Sequence, residues 1–291
     1  ITLILVCTMS NITNAQNPFY GQYHTPHGTV PFDRIETEHY EPAILEGIKL
    51  QNAEIEAIIQ NPEKADFSNT IEAFEESGEL LDKVVAVFGN MLSAETNDDL
   101  QELAQKIMPL LSEHSNNITL NEKLFARVKE VYNQKETLQL TQEQKQLLEN
   151  AYNSFVRHGA NLEGKAREEY RRLTNELSKL TLTFSENNLK ETNAYQMLLT
   201  KKESLAGLPE IIIEAAAETA KSEEKEGWAF TLHAPSYVPF MTYSDNRDLR
   251  QKLYMAYNTK CTHDNEFNNI DIVKNIANTR MNIAQLLGYK D

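Results

Sequence analysis

The chain has 291 residues, with 43 acidic and 28 basic side chains and a formal net charge of −15 at pH 7. Such a surface repels phosphate backbones and offers anionic lipid no basic patch, which excludes nucleic acid and the membrane surface as expected partners. The length suffices for one large domain or two modest ones. Leu, Ile, Ala, Glu, Lys and Gln dominate over 10 Gly and 9 Pro, a composition that favours helix.

The beginning of the chain predicts an export signal. The apolar run ITLILVCTMS is too short to span a bilayer and is followed by a polar stretch. Thr13 and Ala15 are small residues suitably placed before a cut at Gln16, so residues 1–15 are expected to be part of a removed signal peptide. A lipoprotein signal with Cys7 as the lipidated residue is the less favoured alternative. Either interpretation predicts export to the periplasm or the cell surface, and removal of the signal peptide in the favoured one predicts a chain without membrane attachment.

Helical periodicity begins after a proline-containing irregular stretch around HTPHGTVPF. Isoleucines and leucines recurring every three or four residues predict a first helix that Pro62 ends. Asn69 with Glu72 has capping-box spacing for the second helix, and Pro109 is expected to kink or end the third. A short fourth helix carries four apolar residues on one face: Leu124, Phe125, Val128 and Val131.

Two further helices complete the predicted N-terminal helical region, residues 16–192. The first, about 141–158, opens with Thr141 and Gln144 at capping-box spacing and stops at Gly159. The second, about 163–190, has a narrow apolar stripe typical of a helix that packs along another long helix. We expect a hairpin with the 141–158 helix, and a coiled-coil dimer is the alternative.

The pattern changes in residues 193–291, which we assign to a mixed region. AYQMLLT and GWAFTLH predict two short strands that pair in a small β element around 195–232, with a helix beginning near Pro209 between them. APSYVPFMTYSDN is interpreted as a proline-containing connection. Helices are expected again at about 246–259 and 266–287. The predicted fold class is therefore mainly α.

Sequence signals for catalysis are weak. The seven histidines include no H-E-x-x-H pattern, and His24 and His27 are separated by a proline, so a structural or solvated role is favoured. His263, Asp264 and Glu266 lie close in sequence but are better explained by an acidic helix start. The acidic run EAFEESGE is typical of a solvated helix face, and SYVPFMTY favours core over a cleft lining.

Nucleophile and phosphate-binding motifs are also missing from the sequence, which has no G-x-S-x-G, P-loop or G-x-G-x-x-G pattern. Without Cys7, only Cys261 remains; it predicts a half-buried apolar side chain and no internal disulfide. We therefore predict no catalytic, cofactor-binding or metal residue in this chain. Two hypotheses follow: a helical peptide-binding or scaffold module, or the non-catalytic front part of an enzyme whose active site lies beyond Asp291.

A resemblance favours the second hypothesis. The stretches NPFYGQYHTPHGTVPFDRIETEHYEPAILEGI, FSNTIEAFEESGELLDKVVAVFGNM, FVRHGANL, LAGLPE, APSYVPFMTYSDNRDLRQKLYMAY and IANTRMNIAQLLGY, in this order and spacing, resemble the N-terminal region of the thimet-oligopeptidase-like zinc metallopeptidases. Within that family they look closest to the bacterial peptidyl-dipeptidases of the Dcp type. The resemblance covers nearly everything after the predicted signal.

The resemblance implies a two-lobed, mainly α-helical fold in which this chain forms a multi-helix lobe beside a deep channel. It also implies zinc bound by H-E-x-x-H and a later Glu, whose ligands are expected beyond Asp291. The implied reaction is release of dipeptides from the C-termini of short peptides by a monomeric enzyme, with endo-acting cleavage as the alternative. None of the catalytic motifs has a counterpart here, so this chain alone is expected to be inactive.

Overall fold

The computed structural model describes residues 17–291, so the predicted signal peptide, Cys7 and the cut before Gln16 lie outside the described residues. The prediction of a mainly α fold is confirmed. The helices are α1 Thr37–Gln60, α2 Ala73–Glu75, α3 Glu79–Ala94, α4 Asp98–Thr119, α5 Glu122–Asn133, α6 Gln142–Arg157, α7 Gly164–Ala194, α8 Glu210–Ser222, α9 Ala234–Tyr243, α10 Arg247–Asn258 and α11 Ile270–Leu286, and the strands are β1 Gln196–Leu199 and β2 Trp228–Thr231.

The chain divides into two compact units. The first comprises the described residues up to Ser178 together with Asn282–Asp291, and the second is Lys179–Met281. Within residues 17–291, no helix combines the length and apolar character that crossing a bilayer requires.

The first unit is built on the contact between α1 and α3. Gly47 is buried, and a Cβ at this position would lie 2.9 Å from the Leu81 Cα, so the two helices approach as closely as backbones allow. A second apolar cluster forms where α1, α5 and α6 meet the turn before α2. Its centre consists of Phe67, Ile71, Leu124, Val128, Leu148 and Phe155, all buried. The four apolar residues predicted for the fourth helix are all in this core, as expected.

The irregular N-terminal segment is attached to α1 and α3 rather than lying loosely over them. Phe19 is fully buried, and its ring packs on Tyr40, which in turn packs on Phe88. Lys83 donates hydrogen bonds to the carbonyls of Phe19 and Gly21. Burying one phenylalanine stabilises the fold by about 1.5–3 kcal/mol.

The predicted cap at Asn69 is wrong. A π-helical segment Phe67–Glu72 leads directly into α2, and its N-cap is Asp66, whose carboxylate accepts the Asn69 backbone N–H at 2.7 Å. In the reciprocal hydrogen bond, the Asp66 backbone N–H donates to the side-chain oxygen of Asn69. The helix therefore starts three residues earlier than predicted, because an aspartate three residues upstream was available to cap it. The capping box of Thr141 and Gln144 is confirmed.

Pro109 does not end its helix, because α4 continues through it to Thr119; the kink, which was the other expected effect of this proline, stays a prediction. Buried residues lie on both sides of the proline, with Ile107 before it and His114 and Ile118 after it. Packing of these residues outweighs the hydrogen bond that proline cannot donate. The stop predicted at Pro62 is confirmed, since α1 ends at Gln60.

The predicted hairpin between α7 and α6 is wrong, because these two helices do not pack along each other in the described chain. The first half of α7 is instead bonded to α4. Asn175 accepts from Ser112 at 2.9 Å, and the Arg171 guanidinium donates to Glu113 at 2.9 Å. Periodicity reports that a helix has an apolar face, but it does not identify the helix that covers that face.

The second unit centres on the two-stranded sheet. Strands β1 and β2 pair antiparallel, with Met197 opposite Phe230, and α8 begins after Pro209 as predicted. APSYVPFMTYSDN is not a connection: residues 234–243 form α9, and Phe240 packs on Phe230 with ring centroids 4.6 Å apart. Pro235 lies in the first turn, where its missing N–H would have no helical partner, so it starts the helix rather than breaking it.

Two helices complete this unit. Residues 247–258 form α10, as predicted. The final helix begins at Ile270 rather than near 266, because Asn269 is held at the start of the helix. Its side chain donates to the Phe184 carbonyl at 3.0 Å and accepts from Asn187 at 2.9 Å.

Candidate functional site

The histidines are dispersed, and most have a local structural contact. His24 and His27 are exposed in the N-terminal segment. His39 accepts the Glu36 backbone N–H at the start of α1, and His158 contacts a carbonyl of its own helix. Within residues 17–291, no three His, Cys, Asp or Glu side chains form a group that could hold a metal ion.

His114 is the buried histidine of the first unit. Its Nε2 lies 2.7 Å from Gln51 Oε1, and Gln51 Nε2 donates to the Ser77 carbonyl at 3.3 Å. Burial lowers the pKa of His114, which favours the neutral imidazole. No nucleophilic hydroxyl or thiol is among its hydrogen-bond partners, so the arrangement joins α4, α1 and the turn before α3 and is not a catalytic dyad.

Cys261 lies in the second unit and is buried, more deeply than the half-buried position predicted from the sequence. Its backbone N–H donates to the Glu191 carboxylate. Burial, followed by the contact with Glu191, raises the pKa of the thiol to about 11. A thiol with this pKa stays protonated at neutral pH and is a poor nucleophile. His263 Nε2 lies 3.3 Å from the Thr259 hydroxyl and 3.7 Å from the Glu191 carboxylate.

An open cleft of about 830 Å³ lies in the first unit between the N-terminal ends of α1 and α4. Its charged lining consists of Glu36, Glu38, Glu41, Asp99, Glu102 and Lys106. Lys106 pairs with Glu41 at 2.6 Å. Acidic side chains in first turns interact favourably with helix N-termini, which explains most of this lining without a ligand.

An aromatic surface in the second unit was missed by the sequence reasoning. Tyr237 of α9 stacks on Tyr257 of α10 with ring centroids 4.2 Å apart, and Lys260 lies over the Tyr257 ring at 4.6 Å. Tyr254 and Met255 are about half exposed beside them. The segment SYVPFMTY, residues 236–243, therefore contributes Phe240 to the core and Tyr237 to this aromatic surface. The i, i+3 spacing of Tyr254 and Tyr257 on a helix was the available signal.

The described geometry offers surfaces for contact and lacks an assembled catalytic set. The acidic cleft and the aromatic surface are both accessible from solvent. Neither brings together a nucleophile, a general base and an oxyanion-binding group, which hydrolysis without a metal would require.

Comparison with known proteins identifies relatives along almost the whole chain. Dipeptidyl carboxypeptidase of Escherichia coli (strain K12) is 35% identical over 274 residues, which are 94% of this chain and 40% of the relative. Oligopeptidase A of Salmonella typhimurium (strain LT2) is 29% identical over 279 residues, with the same coverage of both proteins. Thimet-like oligopeptidase of Dictyostelium discoideum is 25% identical over 259 residues, 87% of this chain and 37% of the relative.

These matches confirm the resemblance to the N-terminal portion of the thimet-oligopeptidase-like peptidases. The chain spans about two fifths of the length of the curated relatives it matches. No family model matches the chain.

Proposed function

We propose that this chain, a homologue of the N-terminal part of dipeptidyl carboxypeptidase and oligopeptidase A, is the non-catalytic helical portion of a zinc-dependent peptidyl-dipeptidase. One observation carries the proposal: the match covers 94% of this chain but only 40% of the relative. The remaining three fifths of such a protein would contain the catalytic residues. The reaction would release dipeptides from the C-termini of short peptides.

The residues that the structure describes, 17–291, do not fit a zinc ion. A catalytic zinc takes three protein ligands, usually His with Glu or Asp, and keeps one position open for water. No three such side chains converge in residues 17–291. We therefore expect the zinc ligands, an H-E-x-x-H pair with a further Glu, beyond Asp291.

The role proposed for this chain is to form a wall of the channel that admits peptide. Selection by shape needs packed helices rather than a polar motif, and each unit has its own buried core. A rigid wall excludes folded proteins and accepts short, extended peptides as the partners of the enzyme. The full-length enzyme is expected to be a monomer.

Two alternatives are each favoured by a specific observation. Oligopeptidase A relatives match at 29–31% identity, close to the 35% of dipeptidyl carboxypeptidase, which favours an endo-acting oligopeptidase as the second candidate. The exposed aromatic surface of α9 and α10 favours a non-enzymatic peptide-binding module as the third candidate.

Export to the periplasm or cell surface is a further part of the proposal. The apolar run ITLILVCTMS at residues 1–10 supports it, and cell fractionation would test it.

An assay of the full-length protein tests the proposal. Peptides with a free C-terminus and matched peptides with an amidated C-terminus are incubated with zinc-loaded and chelator-treated protein. We expect zinc-dependent release of dipeptides from the free peptides only. Internal cleavage of both peptides would favour the endo-acting alternative. Binding without cleavage, from a reading frame that lacks H-E-x-x-H, would contradict the peptidase proposal.

A further inference from the structure

Helix α11 carries apolar residues on two different sides. With about 100° per residue, Ile272, Ile276 and Thr279 lie on one side. Thr279 is buried, and the two isoleucines are half-buried, so this side packs against the fold.

The second side is apolar and open. It consists of Ile270, Val273, Ala277 and Met281, which we call the α11 seam. These four residues fall within an arc of about 80° and follow one another at spacings of three, four and four residues, typical of a helix-packing face. All four are exposed, with 43% of Ile270, 49% of Val273 and 44% of Met281 accessible.

Single exposed apolar residues are ordinary, but a continuous stripe on one helix face is not. The seam is about 16 Å long, at a rise of about 1.5 Å per residue over eleven residues. Polar residues flank it, including Lys274, which pairs with Asp271 at 3.0 Å. An apolar stripe with charged flanks is the arrangement that receives a second helix.

We propose that the α11 seam is covered by a helix from the later part of the same polypeptide, the part that corresponds to the three fifths of the relatives outside this match. This inference rests on the proposed function. Two observations select this occupant. The relatives are about two and a half times as long as the matched segment, so further chain is available to pack here.

The size of the seam is the second observation. A stripe one helix wide and about 16 Å long buries a few hundred Å², well below the ~1,200 Å² typical of stable contacts between separate proteins. A second copy of the chain would therefore bind weakly through the seam alone. A helix of the same polypeptide needs less area, because the covalent connection keeps it at a high effective concentration.

Site-resolved thiol labelling of the full-length protein tests this inference. Val273→Cys and Met281→Cys place a thiol in the seam, and Asn275→Cys is the matched control, exposed on the same helix outside the seam. Labelling of each position is followed by mass spectrometry in the full-length protein and in the 291-residue chain. Circular dichroism confirms that each variant keeps its helix content.

We expect both seam thiols to react at least about tenfold more slowly in the full-length protein than in the 291-residue chain, with no such difference at Asn275→Cys. Equal rates in the two proteins would overturn the inference, and the peptidase assay on the same sample would show whether the proposed function still holds. Protection that appears in the 291-residue chain and grows with its concentration would assign the seam to a second copy and would also overturn it.

Discussion

His114 Nε2 lies 2.7 Å from Gln51 Oε1, and this contact joins the C-terminal half of α4 to the middle of α1 inside the first unit. Gln51 continues the connection to the Ser77 carbonyl at the turn before α3. Three segments that are distant in sequence are thus held by one buried imidazole and one amide. Since a buried polar group without a partner costs about 1–3 kcal/mol, this pair constrains how the helices can be arranged.

The buried imidazole predicts a loss of stability in acid. Burial lowers the pKa of His114 below the usual 6.5, so as the pH falls below 6.5 the unfolded chain takes up a proton before the folded chain does. Stability is therefore lost from pH 6.5 downward until the folded-state pKa is reached. We expect His114→Gln to reduce the drop in unfolding free energy measured by urea denaturation between about pH 7.5 and about pH 5.5. The same substitution at the exposed His158 serves as the control, and an unchanged drop in both variants would contradict the prediction.

Two glycines in neighbouring helices predict opposite effects of the same substitution. A Cβ at Gly47 would lie 2.9 Å from the Leu81 Cα, so Gly47→Ala must push α1 and α3 apart and should destabilise by about 1–3 kcal/mol. Gly89 of α3 is exposed with nothing within 4 Å, so Gly89→Ala should stabilise by about 0.5–1 kcal/mol. Thermal or urea unfolding of the two variants measures both values. Equal effects would show that the helices do not meet at Gly47.

The cap at Asp66 predicts a measurable contribution to stability. Asp66→Ala removes the acceptor of the Asn69 N–H and should cost about 1 kcal/mol in urea denaturation. Ser68→Ala, an exposed substitution in the same turn, should stay within about 0.5 kcal/mol of the parent. A larger loss from Ser68→Ala than from Asp66→Ala would place the cap elsewhere.

The thiol of Cys261 is predicted to react slowly in the folded chain. Its pKa of about 11, against 9.0 for a free thiol, leaves about a hundredfold less thiolate at pH 8. We expect iodoacetamide to alkylate Cys261 at least about a hundredfold more slowly in the native protein than in urea, because burial also limits access. Mass spectrometry of the Cys261 peptide measures both rates. Comparable rates would contradict the burial and the raised pKa of this thiol in the folded chain.

Local signals in the sequence predicted most of the elements. Apolar periodicity and turn residues located α5, α6, the paired strands and α10, because each depends on neighbours a few residues away. The exceptions were decided by long-range contacts. Packing on both sides of Pro109 carries α4 past the proline, and Phe240 against Phe230 makes a helix of the segment predicted as a connection.

Local sequence patterns could not predict which helices pack against each other. The stripe of α7 predicted a helical neighbour, but the polar contacts of Arg171 and Asn175 with α4 became visible only in three dimensions. The same limit applies to the α11 seam, whose exposure cannot be deduced from spacing. The surfaces offered as candidate contacts, the acidic cleft and the Tyr237–Tyr257 stack, likewise depend on which helices meet.

The central claim is that this chain forms a channel wall while the zinc-binding and catalytic residues lie outside it. Its most direct test is a zinc measurement on the purified 291-residue chain. The chain is equilibrated with zinc, dialysed against metal-free buffer, and assayed by elemental analysis and for hydrolysis of a free-C-terminal peptide. We expect no stoichiometric zinc and no dipeptide release, while the full-length protein treated in parallel retains one zinc per chain and cleaves the peptide. One tightly held zinc ion in the 291-residue chain, together with cleavage, would show that the catalytic residues lie within it.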